Sequence, residues 1–480
     1  MDPFQKALKL AFENHNAGRG VEAEAVCRVL MQISPHDPQL LFLLGMVLHK
    51  ADRNDEAIKW LSEAALHQPQ VARVFSALGC AYQGAKDHPR AAAAFAKSIE
   101  LQAPSASTCY NFGNTCYQLD RIEQAADLFR RAVAINPGDS AGWNNLGKCL
   151  KELNRLEESV AAYGRALEIS GDYPNAGYGR GTSLLATGRI SEGFKDYEWR
   201  RSLRAVRKFD KPEWKGERMP AKTLFLYAEQ GYGDALQMVR FIPLLKDRVG
   251  RVILESRPVL ETLFNYSKCA DLVVPFGTPF PPFDYFLPLA SLPYVLGVTL
   301  ETIPNRTPYL QAPPTEDPAV TSDARLNVGL AWAGSPDHQQ DAARSIRLEV
   351  LMPVLRTPGV SFVSLQKPVP DRDRSCLDEV SERVNSKLQL GDFLKTASII
   401  AGLDLVITVD TAVAHLAGAM GKPVWLLLQH SPDWRWFLDR SDSPWYPTMK
   451  LFRQTERGNW ETPILRVAEE LRQMSGAAKD

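Results

Sequence analysis

The chain has 480 residues, 45% of them hydrophobic, which is enough to fill the cores of several domains and excludes a disordered chain. Basic and acidic residues are equal in number, at 56 each, which excludes an overall electrostatic attraction to nucleic acid or to an acidic membrane. Lys6, Lys9 and Glu13 interrupt the apolar residues near the start, so neither a signal peptide nor a spanning helix is predicted there. We therefore expect a cytoplasmic protein.

The seven cysteines form no C-x-x-C pair, and their odd number leaves at least one unpaired. Cys109 and Cys116 fall on one face of a predicted helix, where small apolar side chains fill the space between packed helices. We predict neither a disulfide nor a metal site from the cysteines.

A repeat of 34 residues runs through the first two hundred positions, with a glycine at one phase: Gly45, Gly79, Gly113, Gly147 and Gly181. Sixteen residues after the first four of these glycines stands a bulky side chain: Leu61, Phe95, Phe129 and Tyr163. A proline closes several units at a common phase, where it ends a helix: Pro35, Pro69 and Pro137. The pattern predicts pairs of antiparallel helices in which the glycine lets the two helices approach closely.

This pattern resembles the tetratricopeptide repeat, most closely over residues 143–166, and the resemblance covers residues 1–200. It implies six hairpins stacked into a superhelix, with an inner groove that holds a protein or peptide. Five polar residues on first helices are the predicted groove contacts: Asn111, Asn114, Asn144, Asn145 and Lys148. The alternative is that each of them is a solvated polar position on an amphipathic helix.

After a basic, proline-marked linker at residues 201–220, the helical period gives way to short apolar runs that predict parallel strands. The expected strands in residues 221–312 are 223–227, 251–255, 271–274 and 284–287. A second α/β region is expected over residues 321–480, with strands at 327–332, 361–366, 403–409 and 423–428. Proline-rich residues 311–320 read as the linker between these two Rossmann-like halves.

Two motifs follow predicted strands. The first, residues 229–234 (E-Q-G-Y-G-D), has Gly231 and Gly233 where backbone N–H groups can approach a ligand, and Asp234 either serves chemistry or caps the next helix. In the second, the strand ends at Asp410 and a helix begins at Thr411 and Ala412, a suitable site for a diphosphate, with His415 one helical turn later. Carboxyl ends of parallel strands are where such sheets bind ligands.

These motifs, in this order and in separate halves, resemble the heptosyltransferase family, whose second motif is D-T-x-x-x-H, over residues 221–475. The resemblance implies a GT-B fold, a nucleotide-sugar donor, and Asp234 as the base toward an acceptor hydroxyl. Joined to the repeats, it also resembles bacterial repeat-containing proteins and protein O-glycosyltransferases, in which a repeat array stands beside a GT-B domain. Shared architecture does not establish a shared substrate.

Further residues fit the predicted donor cleft. Trp332 follows the first strand of the second half, Arg344 lies on the loop after it, and Gln366 and Lys367 end the next strand, where cations could pair with a diphosphate. Each charged residue has a solvated surface role as its alternative. Residues 432–447 hold three tryptophans that either bind a ligand or close one end of the cleft.

No D-x-D pair stands at a predicted strand end, and Asp371 and Asp373 are expected to be solvated in a charged loop. The sequence therefore predicts a metal-independent glycosyltransferase with no cofactor, which moves a sugar from a nucleotide-sugar to a protein held by the array. One alternative is a repeat scaffold with a degenerate transferase domain. Lys395 keeps this alternative open, because a more acidic segment is expected near a donor site. Another is a transferase acting on lipopolysaccharide.

Overall fold

The computed structural model describes residues 2–205, 207–279, 281–315, 326–337 and 341–476. The chain separates into two compact units, Met1–Arg180 and Gly181–Asp480, and each is described by itself. The predicted linker at residues 311–320 lies outside the described residues from position 316 onward. Within the described ranges, the structure holds no helix both long and apolar enough to cross a lipid bilayer.

The described residues up to Tyr197 form twelve helices in six consecutive pairs, as the 34-residue period predicts. They are α1 (Pro3–Asn16), α2 (Gly20–Ile33), α3 (Pro38–Lys50), α4 (Asn54–His67), α5 (Ala72–Gly84), α6 (His88–Leu101), α7 (Ala106–Gln118), α8 (Ile122–Ile135), α9 (Ser140–Glu152), α10 (Leu156–Ile169), α11 (Pro174–Ala186) and α12 (Ile190–Tyr197).

The repeated glycines lie where the two helices of a hairpin touch. A Cβ added at Gly113 would lie 2.9 Å from the ring of Phe129, and one at Gly147 would lie 2.9 Å from the ring of Tyr163. Such distances are shorter than van der Waals contact, so any larger residue would push the pair apart. Each of these two glycine contacts is made inside one repeat.

Most ion pairs of the array join residues three or four apart and remain in solvent, although Arg53 reaches Glu24, 29 positions away, at 2.8 Å. Arg155 is the N-cap residue of α10 and bonds Glu158 at 2.6 Å, with 43% and 53% of the two side chains exposed. Two repeats earlier, the equivalent position carries the reversed pair, Asp87 with Arg90 at 3.4 Å. Ion pairs of this kind contribute about 0.3–0.5 kcal/mol each, so packing of the apolar faces holds the array together.

The first sheet of the second unit is parallel, in the order β3-β2-β1-β4. Its strands are β1 (Met219–Tyr227), β2 (Val249–Ser256), β3 (Leu272–Pro275) and β4 (Tyr285–Pro288), and its α-helices are α13 (Tyr232–Met238), α14 (Pro258–Tyr266) and α15 (Leu292–Val295). The helix expected after β1 ends at Met238 and continues as a 3-10 turn over Val239–Leu245, which contains Pro243.

The second sheet is also parallel and has six strands in the order β7-β6-β5-β8-β9-β10. They are β5 (Leu326–Ala331), β6 (Val360–Ser364), β7 (Val384–Asn385), β8 (Leu405–Val409), β9 (Val424–Leu428) and β10 (Met449–Arg453). Its helices are α16 (Asp341–Arg344), α17 (Met352–Leu355), α18 (Arg374–Glu379), α19 (Phe393–Ala401), α20 (Ala412–Ala419) and α21 (Glu461–Ser475). This is the 3-2-1-4-5-6 order of doubly wound nucleotide-binding sheets, which reverses between β5 and β8.

The sixth hairpin is divided between the two units. The unit boundary falls inside α11, about twenty residues before the end of the array expected from the sequence. The reason is local packing: α12 contacts α15, and the Phe194 ring lies edge-on to Trp434, with centroids 5.6 Å apart. The second helix of this hairpin thus shares a core with the α/β region. The predicted domain boundaries at residues 200, 220 and 312 stay predictions.

Candidate active site

The loop after β1 places Asp234 in the first turn of α13. One carboxylate oxygen of Asp234 accepts the backbone N–H of Gly231 at 2.9 Å, so this residue does cap the helix, as one of the two interpretations of the sequence had it. Its other oxygen is bonded to the guanidinium of Arg435, which comes from the second half of the unit. Asp234 is therefore oriented at both oxygens.

Arg435 is the centre of a buried polar cluster between the two halves. Only 7% of its side chain is exposed, and it bonds Asp433 at 2.8 Å in addition to Asp234 and the amide oxygen of Gln237. Its guanidinium lies 4.3 Å from the centre of the Trp434 ring. Burial opposes its charge, but Asp433 and Asp234 raise the pKa of Arg435 well above its ordinary value. The cation is thus fixed in its charged form.

The second motif stands at the carboxyl end of β8, where the strand order of its sheet reverses. Burial and the neighbouring Asp433 raise the pKa of the Asp410 carboxyl to about 6. The guanidinium of Arg344 donates to the Asp410 carbonyl oxygen at 3.0 Å, and Thr411 is the N-cap residue of α20, which begins at Ala412. A helix N-terminus, a cation and a titratable carboxyl therefore meet at this switch point.

His415 is buried inside the junction of the two motifs. Its Nδ1 lies 2.8 Å from the Tyr446 hydroxyl, and its ring stacks on Trp436 with centroids 5.3 Å apart. Burial, followed by the positive charges of Arg435 and Arg240, lowers the pKa of His415 well below its ordinary value. A Cβ added at Gly233 would lie 2.7 Å from Cδ2 of this ring, so the glycine of the first motif permits the close approach of the two halves.

Gly334 makes room for Arg344 at the end of β5. A Cβ at this position would lie 2.5 Å from Nη2 of Arg344 and 2.3 Å from the carboxylate of Asp341, which itself bonds the arginine at 3.3 Å. Ser345 completes the arrangement, because its hydroxyl accepts the Gly334 N–H and donates to Asp341, both at 2.9 Å. The backbone here is shaped around the cation.

Trp332 corrects the sequence analysis. Its side chain is wholly buried in the core of the second sheet, and its indole N–H donates to Asp373 at 2.9 Å, so it presents no side-chain atom to a ligand. Asp373 was expected to be solvated, but it is 2% exposed and accepts this bond and the Leu348 N–H. Asp371 is exposed, as expected. The interaction joins residues 41 positions apart, which no local pattern could indicate.

The side chains of Gln366 and Lys367 differ in burial. The Gln366 side chain is buried and makes four bonds to backbone groups, two of them to the N–H and carbonyl of Ala333. It therefore fixes the loop after β5. Lys367 is exposed, and its ammonium donates to the Gly391 carbonyl at 3.1 Å.

Sequence reasoning missed a second buried arginine, Arg200, which lies at the carboxyl ends of β1 and β4. Its guanidinium bonds the Glu229 carboxylate at 2.8 Å and the Ser291 hydroxyl at 2.7 Å. Glu198 pairs with the same guanidinium and accepts from Ser291. Arg200 stands in a basic stretch that resembles an ordinary linker, so only the tertiary fold distinguishes it from its solvated neighbours.

In the array, the predicted groove residues form a polar ladder on neighbouring first helices. The Asn145 amide donates to Asn114 at 3.0 Å, and the Asn144 amide donates to Asn145 at 3.1 Å. Asn111 bonds the Cys80 sulfur, whereas Lys148 lies 4.0 Å from the centre of a neighbouring tyrosine ring. Asn114, Asn145 and Lys148 line one cavity of about 590 Å³.

Comparison with known families agrees with both parts of this description. Residues 16–79, 76–140 and 110–174 match tetratricopeptide repeat families, and residues 371–457 match glycosyltransferase family 9 (heptosyltransferase). The chain therefore holds tetratricopeptide repeats and, toward its C-terminus, a segment that matches the heptosyltransferase family. The match to the heptosyltransferase family includes Asp410, Thr411, His415 and Arg435, but it does not extend to Asp234.

Individual proteins that the chain resembles match only part of it. Over 344 residues the chain is 29% identical to Protein FlbA of Caulobacter vibrioides, an alignment that covers 62% of this chain and 55% of that protein. The chain thus spans about half the length of this curated relative. Two solved tetratricopeptide-type structures are each 16% identical: YrrB, a TPR protein with an unusual peptide-binding site, has a TM-score of 0.35 and covers 37% of this chain and 92% of its own. PilF of Pseudomonas aeruginosa has a TM-score of 0.34 and covers 42% of this chain and 87% of its own.

Proposed function

We propose that the α/β unit transfers a sugar from a nucleotide-sugar donor to an acceptor hydroxyl, and that the acceptor is a protein held by the repeat groove. The observation that carries the proposal is the meeting of the two motifs: Gly233 of the first loop lies against His415 of the second, at the switch point of a doubly wound sheet. The family match over the second motif supports the reaction class.

The donor diphosphate is assigned to the N-terminus of α20. Backbone N–H groups there and the Thr411 hydroxyl can donate to phosphate oxygens, and Arg344, held on the Asp410 carbonyl, supplies a positive charge nearby. His415 is buried and uncharged, so its part is to shape the pocket from beneath together with Tyr446. No metal is assigned to the site, because the arginine and the helix terminus meet the leaving charge.

In the proposed reaction, the acceptor oxygen attacks the anomeric carbon while the bond from that carbon to the diphosphate oxygen breaks. The electron pair of the broken bond leaves with the diphosphate, and the acceptor proton passes to Asp234. Each carboxylate oxygen has two lone pairs, so the bonds from Gly231 and Arg435 orient Asp234 and still leave a lone pair free on each oxygen.

The first experiment measures thermal stabilisation of the full chain by UDP, GDP, ADP and their sugar conjugates. A nucleotide present at about one hundred times its dissociation constant should stabilise the chain by about 2.7 kcal/mol. Thr411→Val should abolish the shift. Thr448→Val is the matched control, because the exposed Thr448 hydroxyl bonds the Lys422 carbonyl at the amino ends of the strands, away from Thr411. No shift with any compound would favour the non-catalytic scaffold.

The second experiment follows labelled sugar into polypeptide and into lipid-linked glycan. Asn114→Ala with Asn145→Ala should lower labelling of polypeptide and leave the nucleotide-induced shift unchanged, because the ladder belongs to the array. If label enters only the lipid-linked fraction, and to the same extent in the unchanged chain and the double variant, the role of the groove is contradicted and a lipopolysaccharide acceptor is supported.

A further inference from the structure

Three potential metal ligands meet near the start of the array, far along the chain from both motifs. Nδ1 of His36 lies 3.8 Å from Oε1 of Glu63, and Nε2 of His67 lies 3.6 Å from the same oxygen. The three ligand atoms all fall within 4.8 Å of one another. We propose that His36, Glu63 and His67 form a binding site for a divalent transition-metal ion, with Zn²⁺ as the preferred ion.

The backbone holds these side chains in place before any ion binds. Glu63 and His67 are one helical turn apart on α4, so they project from one face of a regular helix. His36 stands in the short turn between α2 and α3, flanked by Pro35. The next residue, Asp37, caps α3 by accepting the N–H groups of Gln39 at 3.0 Å and Leu40 at 2.8 Å. A capped, proline-bounded turn has little freedom to move the histidine away.

The spacing suits tetrahedral coordination. Ligand atoms about 2.0–2.1 Å from a zinc ion are about 3.3 Å from one another at the tetrahedral angle. Both contacts of Glu63 are within half an ångström of that separation. All three separations must shorten on binding, and the exposed His36 ring, 74% of whose side chain is accessible, is free to rotate toward the ion.

The donor set decides the kind of ion. Two imidazoles and one carboxylate suit zinc and its neighbours in the transition series, whereas Mg²⁺ and Ca²⁺ prefer oxygen ligands. His67 and Glu63 are each 40% exposed, which leaves the fourth position open to water. A bound ion would tie the turn between the first and second hairpins to the second helix of the second hairpin, and so would stiffen the beginning of the groove.

Isothermal titration of the full chain with Zn²⁺, and separately with Mg²⁺, tests the proposal. We expect Zn²⁺ to bind and Mg²⁺ not to bind. His36→Ala, His67→Ala and Glu63→Gln should each weaken the Zn²⁺ affinity by at least about tenfold. His88→Ala is the matched control, since His88 also lies in the array and stands outside this cluster. The control should bind Zn²⁺ as the unchanged chain does.

All three variants alter exposed or half-buried side chains, so far-UV circular dichroism should show an unchanged array. Absence of Zn²⁺ binding, equal binding of Mg²⁺, or a Zn²⁺ isotherm that survives all three substitutions would each overturn the site. None of these outcomes depends on the proposed sugar transfer, so the two proposals can fail separately.

Discussion

The array and the α/β unit use charged residues in opposite ways. In the array, ion pairs such as Arg155 with Glu158 join residues three apart and remain in solvent. In the α/β unit, Arg435 is bonded to Asp234 across 201 positions, and Arg240 reaches the Trp445 carbonyl across 205, both from buried side chains. The array can therefore lose a charge with little effect, whereas the α/β unit depends on complete pairing at the junction of its halves.

The largest expected effect comes from removing the buried cation. Arg435→Met keeps the length of the side chain but takes the buried cation away from Asp234 and Asp433, whose side chains are 24% and 37% exposed, which should cost about 3 kcal/mol. Eight of the ten tryptophans follow residue 180, so fluorescence during urea unfolding reports mainly on the α/β unit. Arg155→Met should cost less than about 1 kcal/mol. Equal losses in the two variants would break the comparison.

The next effect concerns chemistry at the same cluster. Asp234→Asn keeps the size of the side chain but removes its basicity, so turnover should fall by about 100-fold while nucleotide binding changes little. Asp433→Asn is the control, because it removes the other carboxylate on Arg435 and leaves Asp234 in place. If Asp234 serves only as a cap and as a partner of Arg435, its replacement should lower stability and leave turnover intact. Equal loss of turnover in both variants would assign the effect to Arg435.

A third prediction uses pH. The pKa of Asp410 is raised to about 6 from an ordinary value of 3.8, so the folded chain binds this proton more tightly than the unfolded chain does. The destabilisation caused by the ionised Asp410 carboxylate is therefore absent below pH 4 and complete above pH 6. Asp410→Asn should raise the free energy of unfolding by about 3 kcal/mol at pH 8 and leave it nearly unchanged at pH 4.

Asp378→Asn, at an exposed position of α18, is the control and should change stability equally at both pH values. A gain from Asp410→Asn that is the same at pH 4 and pH 8 would show that burial of this carboxyl carries no charge-dependent cost.

The smallest expected effect returns to the array. Gly113→Ala places a methyl group against Phe129 and should cost about 1 kcal/mol, after the better helix propensity of alanine offsets part of the clash. Gly164→Ala adds its methyl group in open space on α10 and should instead stabilise the chain by up to about 1 kcal/mol. Thermal melts followed by far-UV circular dichroism compare them, and the same sign in both variants would contradict the packing role of Gly113.

How far the sequence could be interpreted follows from this contrast. The period of the glycines predicts all six hairpins, because the contact between Gly113 and Phe129 lies within one repeat. The apolar runs likewise predict eight strands, but not β7, which has two residues, or β10, whose run contains Lys450 and Arg453.

The site was harder to predict. The motif around Asp410 is contiguous in the sequence and was identified, but the cluster of Arg435, Gln237 and Asp234 forms only on folding. The burial of Trp332 was missed for the same reason, because its partner Asp373 lies on another segment of the chain.

The glycine contacts inside the hairpins have a consequence for how this protein can change over generations. Since Gly113 meets Phe129, and Gly147 meets Tyr163, within single 34-residue blocks, duplication or deletion of a whole block would carry the contact between its two helices with it. The groove can thus lengthen or shorten by whole repeats, provided that contacts between repeats, such as that of Gly179 with Tyr163, are kept. No comparable edit is open to the α/β unit, where an insertion must leave Arg435 facing Asp234.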